Sequence, residues 1–334
     1  MSETRIDTTR LQRISRAYTE TAVLYAALDL ELFTHIAGGA TSLAALAEAM
    51  GVSLLNAERL LTCVLAMGLV ERDGDTYTNA PDSTRYLVSH APAYAAPWMT
   101  FTRGDVPGWF RLAEVLRDPA PPSTLGMYAD LTVASARAYH AATYSIGMGA
   151  GRRFCREVDL TGRHRLLDLG GGSGAYSINA VQRFDGLHAV VLDLPPVIEV
   201  TREYLERHGV TDRVDTLAGD FTVTPLPCDC DCAVMASNLP IYDAAAIRAV
   251  VGRVHEALVP GGEFHLIGEM LDNDGTGPLD AAMWGMYEAV CGSAGRAHRI
   301  AECVDYLEAA GFVEVTEAAF VPGTLHRVSG VKAL

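Results

Sequence analysis

Hydrophobic and polar positions change their period near residue 160. Before that point apolar residues recur at helical spacing, as Leu11, Ile14 and Tyr18 do along one stripe. After it, short apolar runs alternate with amphipathic stretches, a pattern typical of parallel strands joined by helices. The chain is therefore expected to combine a helical N-terminal part with an α/β C-terminal part.

The N-terminal pattern predicts a short capped helix over Thr41–Val52 and a second helix over Asn56–Gly68. A hairpin around Asp73-Gly74 follows, which completes a winged-helix outline. Such a module either binds DNA or mediates dimerisation. DNA-reading helices carry several basic residues, whereas the second helix offers only Arg59, beside Glu58. Dimerisation is the favoured interpretation.

The C-terminal pattern predicts a parallel sheet that ends in two further strands with no helix between them. The two last strands, over Phe312–Val315 and Leu325–Val331, are expected to form an antiparallel hairpin. We expect a dimerisation domain over 1–100, a helical connecting region over 101–160 and a cofactor-binding catalytic domain over 161–334. The preceding strands are predicted at 164–169, 188–193, 213–217, 230–237 and 263–269.

Composition narrows the possible partners and location. The 334 residues carry a formal net charge of −15, which argues against a nucleic acid as partner. Seven cysteines in no regular framework fit a reducing, cytoplasmic setting. No apolar run is long enough to span a membrane, and the N-terminus lacks the apolar segment of a signal peptide. We therefore expect a cytoplasmic protein with no membrane partner.

A glycine-rich turn carries the first chemical prediction. The predicted strand that ends near Asp168 runs into Gly170, Gly172 and Gly174, and an amphipathic segment follows. Glycine permits positive φ and close approach of a ligand to the backbone. The start of the following helix offers free N–H groups. Strand, glycine turn and helix together predict a nucleotide-type cofactor site.

Two acidic positions define that cofactor further. Asp193 ends the second predicted strand, where a carboxylate can accept both ribose hydroxyls. Asp220 and Phe221 follow the third strand, where an acid suits the adenine amine and an aromatic ring suits its face. This third acid, and a site in the second half of the chain, argue against a dinucleotide such as NAD.

The motifs around Asp168–Gly174, Asp193 and Asp220, followed by Pro260-Gly261-Gly262, resemble those of class I S-adenosylmethionine-dependent methyltransferases. More narrowly, the chain is similar to dimeric small-molecule O-methyltransferases of the plant caffeate and bacterial polyketide-tailoring type. The resemblance implies a Rossmann-like seven-stranded sheet with a C-terminal antiparallel hairpin, and a homodimer formed through the N-terminal domain. It also implies S-adenosylhomocysteine as product and a small aromatic or heterocyclic acceptor methylated at oxygen. The implied cofactor residues are Asp168, Gly170, Gly172, Gly174, Asp193, Leu194, Asp220, Phe221 and Ser237.

One position departs from the family pattern. The family places a histidine base after the fourth strand, and Leu239 occupies that position here. Glu269 matches one of the family's two supporting glutamates, and the other falls near Val304. Either another residue takes the proton, or the acceptor is an easily ionised oxygen, a nitrogen or a carbon, or the fold has acquired non-methylating chemistry. The candidate catalytic residues are His140, His298, Glu269 and Asp243.

Aromatic and methionine residues recur in segments that border the acceptor pocket in the family. They indicate a flat, mostly apolar or aromatic acceptor. The implied acceptor-binding residues are Trp98, Met99, Tyr139, Tyr144, Asn238, Met283, Met286 and Tyr287.

Two further possibilities are disfavoured. Cys228, Cys230 and Cys232 alternate on a predicted strand, so their sulfurs are expected on one face, but no second Cys or His pair with zinc spacing lies nearby. We expect no metal. A cofactor-sensing regulator that uses the winged helix is the non-enzyme alternative, and the acidic charge balance argues against it.

Overall fold

The computed structural model describes residues 6–123 and 125–334. Within them the chain forms two compact units, one up to Thr102 and one from Arg103 onward. The predicted connecting region, 101–160, thus falls almost entirely within the second unit.

The first unit is mostly helical, and its helices begin where the sequence supplies caps. Ser42 and Ser53 each accept a backbone N–H three residues further on. The hairpin forms at Asp73-Gly74 as predicted. The elements are α1 (Thr9–Asp29), α2 (Leu32–Ala37), α3 (Leu43–Met50), α4 (Leu54–Ala66), β1 (Val70–Asp73), β2 (Thr76–Asn79), α5 (Pro81–Tyr86) and α6 (Ala96–Met99).

The core of this unit is built from α2, α3 and α4, with Phe33, Leu46 and Leu61 fully buried. The stripe on α1 is not part of it: Leu11 is 57% exposed and Ile14 is 61% exposed. Among the described residues no single helix is long and apolar enough to cross a membrane. Helices α3 and α4 taken together have the length and composition of a membrane span, but they are bent by 106° relative to each other.

The second unit is a sheet flanked by helices. It contains α7 (Val106–Phe110), α8 (Leu112–Val115), α9 (Val133–Glu157), β3 (Arg165–Leu169), α10 (Ala175–Arg183), β4 (His188–Asp193), α11 (Pro195–His208), β5 (Val214–Ala218), β6 (Cys230–Ala236), α12 (Ala244–Ala257), β7 (Leu258–Gly268), β8 (Met270–Leu271), α13 (Leu279–Val290), β9 (His298–Arg299), α14 (Ile300–Ala310), β10 (Phe312–Val321) and β11 (Leu325–Lys332).

Seven of these strands form one sheet in the order β10-β11-β7-β6-β3-β4-β5. The five strands from β7 to β5 are parallel, whereas β11 runs antiparallel to both β7 and β10. The predicted seven-stranded sheet with a C-terminal antiparallel hairpin is confirmed. β7 begins earlier than predicted, at Leu258, because the Pro260-Gly261-Gly262 segment joins the strand.

Two apolar layers cover the sheet, one built with α9, α10 and α11 and the other with α12 and α14. β3 lies between β4 and β6, so the strand order reverses at β3. Ligands of open parallel sheets bind outside the carboxyl ends of the strands at such a reversal. The glycine turn after β3 therefore stands at the expected place for a ligand.

The expectation that three cysteine sulfurs share one face is wrong. The β6–β7 register shifts between Cys230 and Cys232, and these two side chains pack into opposite layers of the core. Cys228 precedes the strand and is exposed. A bulge of this kind reverses the side-chain alternation on which the expectation rested. In the described part of the chain no group of three or more His, Cys, Asp or Glu side chains could hold a metal ion.

Candidate active site

The turn after β3 has a left-handed backbone at alternate positions. Gly170, Gly172 and Gly174 have φ values of 63°, 57° and 75°, a conformation that side chains other than glycine rarely adopt. The Gly170 N–H donates to Leu192 O at 2.8 Å, and the Thr201 hydroxyl donates to Gly172 O at 2.6 Å. The turn is thus fixed to both β4 and α11.

Three side chains press against this turn from different elements. A Cβ at Gly170 would lie 2.5 Å from Asn238 Nδ2, and one at Gly172 would lie 2.6 Å from His140 Cε1. A Cβ at Gly171 would lie 2.6 Å from the Asp168 carboxyl carbon. Asn238, predicted to contact the acceptor, donates from Nδ2 to Leu169 O and Gly170 O and braces the turn.

Two carboxylates, the buried Asp168 and the half-buried Asp193, order the backbone around the turn. Asp168 accepts the Ser177 hydroxyl at 2.7 Å and the Ser177 N–H at 3.3 Å. Asp193 accepts the N–H groups of Gly172 at 2.8 Å and Leu194 at 2.7 Å. Burial raises the pKa of each carboxyl to about 6, against the hydrogen bonds, which lower it. The turn and the predicted ribose-binding acid thus form one hydrogen-bonded unit.

The predicted adenine-binding pair lies beside the turn as well. The Phe221 ring is buried, and its Cε1 would be 3.1 Å from a Cβ at Gly170. Arg253 donates to Phe221 O at 2.7 Å, and Asp220 accepts the Thr222 N–H at 2.8 Å. Ser237, at the end of β6, has a φ of 59° and donates its N–H to Ile267 O.

The two candidate histidines differ in their surroundings. His298 is fully buried, with Nε2 2.9 Å from Tyr242 O and Nδ1 3.0 Å from the Tyr306 hydroxyl. A carbonyl oxygen only accepts, so Nε2 carries the hydrogen and Nδ1 accepts from Tyr306. The neutral His298 ring therefore keeps no free lone pair. Burial lowers the pKa of His140 to about 4, and its ring lies edge-on to Tyr139 at 5.0 Å.

Leu239 occupies a fully buried position on the short 3₁₀ turn Leu239–Ile241. A Cβ at Gly268 would lie 2.9 Å from the Leu239 Cβ, so this side chain packs directly on the end of β7. Glu269 follows immediately, and burial raises the pKa of its carboxyl to about 7, with the charges of Asp280 and Glu288 adding to the rise. An apolar group and a buried carboxyl therefore lie together where the family has a histidine.

Other predicted residues are engaged elsewhere. Asp243 is exposed and caps α12 by accepting the Ala246 N–H at 2.8 Å. Tyr144 stacks on Tyr204 at 4.6 Å and bonds His208, so its ring is held by α11.

The remaining aromatic and methionine residues are divided between the two units. Tyr287 donates its hydroxyl to Asp105 at 2.7 Å, and Met283 is exposed whereas Met286 is half-buried. In the first unit, Trp98 stacks on Phe101 at 5.5 Å, and Met99 is exposed.

The structure adds Tyr128, Glu288 and Ser293, which the sequence did not single out. The Tyr128 hydroxyl lies 3.3 Å from the Tyr139 hydroxyl, and the buried Glu288 accepts the Ser293 hydroxyl at 2.5 Å. Burial raises the pKa of the Tyr128 and Tyr139 phenols, and the charges of Asp193 and Glu288 add to the rise. These residues therefore share one electrostatic environment with the acid beside the glycine turn.

Fold and site together define a class I S-adenosylmethionine-dependent methyltransferase. A solved structure of human N-acetylserotonin methyltransferase in complex with S-adenosylmethionine superimposes with a TM-score of 0.83, 22% identity and full coverage of both chains. The family model for the O-methyltransferase domain matches residues 133–313, and the O-methyltransferase dimerisation domain matches 12–89. The chain belongs to the O-methyltransferase family, and its cofactor is S-adenosylmethionine.

Two curated relatives cover nearly the whole chain. A 3-hydroxy-5-methyl-1-naphthoate 3-O-methyltransferase of Streptomyces sahachiroi is 33% identical over 97% of this chain and 95% of its own length. The tetracenomycin polyketide synthesis 8-O-methyl transferase TcmO of Streptomyces glaucescens is 30% identical over 94% of each. Two more distant relatives are each 28% identical to this chain. They are an N,N-dimethyltransferase of Streptomyces rimosus, matched over 78% of this chain, and an L-tyrosine C(3)-methyltransferase of Streptomyces lavendulae, matched over 54%.

Replacing Gly172 by alanine tests the turn. The new methyl group would meet the His140 ring in a backbone region that strains alanine, so affinity for S-adenosylhomocysteine is expected to fall about tenfold or more. Gly186→Ala is the matched control, because Gly186 also has positive φ but open space around its Cβ position. Calorimetric titration measures both variants. Equal affinities would show that the close approach at Gly172 does not matter for the cofactor.

Proposed function

We propose that this enzyme transfers the methyl group of S-adenosylmethionine to a hydroxyl oxygen on a small, flat aromatic metabolite. The observation that supports this most directly is an aromatic wall beside the glycine turn. The Tyr128 and Tyr139 hydroxyls lie 3.3 Å apart, and the Tyr139 ring is edge-on to His140, which lies against Gly172. The names of the naphthoate and tetracenomycin relatives support the same acceptor class.

The residues around the turn fit this cofactor. Its glycines leave a cradle that a Cβ would fill, and Asp193 already accepts hydrogen bonds in a position suited to hydroxyl donors. The buried Phe221 ring offers a face for adenine. When bound, S-adenosylmethionine supplies an activated methyl group on a positively charged sulfur. The carboxyls of Asp168, Asp193 and Glu269 provide an acidic environment that favours a cation.

Holding the acceptor in line with the methyl group is the main task that remains for the protein. Leu239 cannot take a proton, His298 has both nitrogens engaged, and Asp243 is an exposed helix cap. Burial lowers the pKa of His140 to about 4, which makes its ring a weak base. Among the predicted candidates, Glu269 combines burial with a position beside Leu239. We therefore assign the acceptor side of this site to carboxylates rather than to a histidine.

Methylation of nitrogen or carbon is the second candidate function. The replacement of the family's histidine by Leu239 favours it, because nucleophiles that lack an acidic hydroxyl proton need no such base. Relatives named for N,N-dimethylation and C-methylation support it. A product analysis that locates the new methyl group separates the two functions.

A homodimer formed through the first unit is part of the proposal. The matched dimerisation domain spans 12–89 and includes Ile14 and Tyr18 of the exposed apolar stripe on α1, with Leu11 directly before it. The net charge of −15 argues against a nucleic acid as partner, and seven free thiols support a reducing cytoplasmic setting.

Cofactor affinity is expected to depend on pH through Asp193. Its pKa of about 6 in the free protein means that the carboxylate, the form that accepts ribose hydroxyls, is lost as the pH falls below 6. Binding of S-adenosylhomocysteine should weaken there and release protons at pH 6. Asp193→Asn should lose about tenfold to a hundredfold in affinity at pH 7.5, since a hydrogen bond to a charged group contributes about 1.5–3 kcal/mol.

Calorimetry in buffers of different ionisation enthalpy measures both effects. Asp215→Asn, on the exposed part of β5, is the matched control. An Asp193→Asn variant that binds within twofold of the parent would contradict the ribose assignment. A parent protein that binds no S-adenosylhomocysteine at micromolar concentration would overturn the proposed function.

Introducing charge on the α1 stripe should separate the subunits. Leu11→Glu combined with Ile14→Glu removes two apolar contacts, each contributing about 1.5–3 kcal/mol when fully buried, and places charges against an apolar partner. Light scattering after size exclusion should give a dimer for the parent and a monomer for the variant. Val223→Glu, at a 74% exposed site in the second unit, should stay dimeric. A dimeric double variant would place the interface elsewhere.

A further inference from the structure

A buried carboxylate that the family pattern does not predict lies at the end of α13. Glu288 and Ser293 are each 7% exposed, and the Ser293 hydroxyl is 2.5 Å from Glu288 Oε2. Burying a carboxylate is costly unless hydrogen bonds compensate for the lost water. In the described part of the chain, Ser293 is its one hydrogen-bonding partner, so the second carboxylate oxygen is available to a ligand.

This pair adjoins the segment that carries Leu239. Ser293 Oγ lies 3.5 Å from Ile241 O, and a Cβ at Gly295 would collide with Pro240 O. The loop after α13 is therefore in direct contact with the 3₁₀ turn where the family has its histidine. A Cβ at Gly126 would lie 2.6 Å from the Ser293 Cβ, which brings the segment of Tyr128 against the same loop.

Ser293 can support Glu288 in both protonation states. The Gly295 N–H donates to Ser293 Oγ at 2.9 Å and holds the oxygen in place. While Glu288 is ionised, the serine hydroxyl donates to it. Once Glu288 holds a proton, that proton can be donated to Ser293 Oγ while the serine hydrogen turns toward Ile241 O. The dyad can therefore gain and lose a proton without leaving a buried group unpaired.

We propose that Glu288, positioned by Ser293, is the general base that receives the acceptor's hydroxyl proton in place of the histidine missing at position 239. The acceptor O–H proton passes to Glu288 as the oxygen bonds to the methyl carbon. The carbon–sulfur bond breaks, its electron pair stays on sulfur, and neutral S-adenosylhomocysteine leaves. Glu288 then returns the proton to water. This inference rests on the proposed O-methylation.

The neighbouring carboxyl group has a complementary role. Burial raises the pKa of Glu269 to about 7, and the charges of Asp280 and Glu288 add to the rise. Burial raises the pKa of Glu288 as well, but the Ser293 hydrogen bond opposes that rise. The two carboxyls make this part of the site acidic, so it favours acceptors that present a hydroxyl rather than a carboxylate at this point.

The test uses the full chain with S-adenosylmethionine and a panel of monohydroxynaphthalenes that includes 2-naphthol. Release of S-adenosylhomocysteine is measured from pH 5.5 to 10, with kcat and KM determined separately. The parent kcat should rise with pH to a plateau. Glu288→Gln should lower kcat about 10²–10⁴-fold near neutrality and abolish this acidic limb, because general-base catalysis contributes about that much. The deficit should shrink at high pH, where the phenol ionises unaided.

Three further variants separate a base from a structural residue. Ser293→Ala removes a hydrogen bond that favours the ionised carboxylate, so the acidic limb should move to higher pH while the plateau remains. Glu269→Gln should keep an acidic limb. Glu308→Gln, exposed on α14, is the matched control and should match the parent. A structural defect at Glu288 would instead lower the rate equally at every pH.

Several results would overturn the inference. These are a Glu288→Gln rate within threefold of the parent at neutrality, a uniform loss across pH, an acidic limb that disappears in Glu269→Gln, or no methylation of any naphthol by the parent. Calorimetry with S-adenosylhomocysteine separates failure of the Glu288 assignment from failure of the proposed function. Normal binding by parent and Glu288→Gln leaves the cofactor assignment standing, whereas a parent that does not bind removes both.

Discussion

The left-handed turn after β3, held between two strands and a helix, is the constraint on which the rest of the site depends. Its glycines are needed because Asp168, His140 and Asn238 fill the space that side chains at Gly170–Gly172 would require. Asp193 and Thr201 then fix the same backbone from β4 and α11. A small shift of this turn would move Asp193, the Phe221 ring and the His140 ring together, since each contacts the turn directly.

Much of the fold was predictable because it follows from periodicity. The strand positions, the terminal hairpin and the capped start of α3 come from patterns that local physics enforces. Helix α4 begins at Leu54, two residues before the predicted Asn56. Asp168 and Asp193 were predictable for a different reason. Residues at the carboxyl ends of neighbouring parallel strands meet at one edge of the sheet, so their positions along the sequence imply their proximity.

The remainder of the site depends on contacts that no local pattern encodes. Glu288 lies on an amphipathic helix and resembles a solvent-facing residue until the loop after α13 folds back and buries it with Ser293. Tyr128 contacts Tyr139 because the segments before and after Thr132, the N-cap of α9, pack together. The bulge at Cys230 reverses a face that strict alternation predicted, and the two partners of His298 come from distant elements.

Loss of a histidine and gain of a buried carboxylate change the electrostatics of the acceptor pocket as a whole. A histidine base is neutral before the reaction and positive after it, whereas a carboxylate is negative before and neutral after. The carboxylate therefore adds attraction for the cationic sulfonium before transfer and loses it once neutral S-adenosylhomocysteine has formed. Burial makes it costly for Glu288, Asp193 and Glu269 to be ionised at the same time. The raised pKa values of Asp193 and Glu269 reflect this cost. Arrival of the cation relieves that penalty, so cofactor binding itself favours the ionised, proton-accepting form of the site.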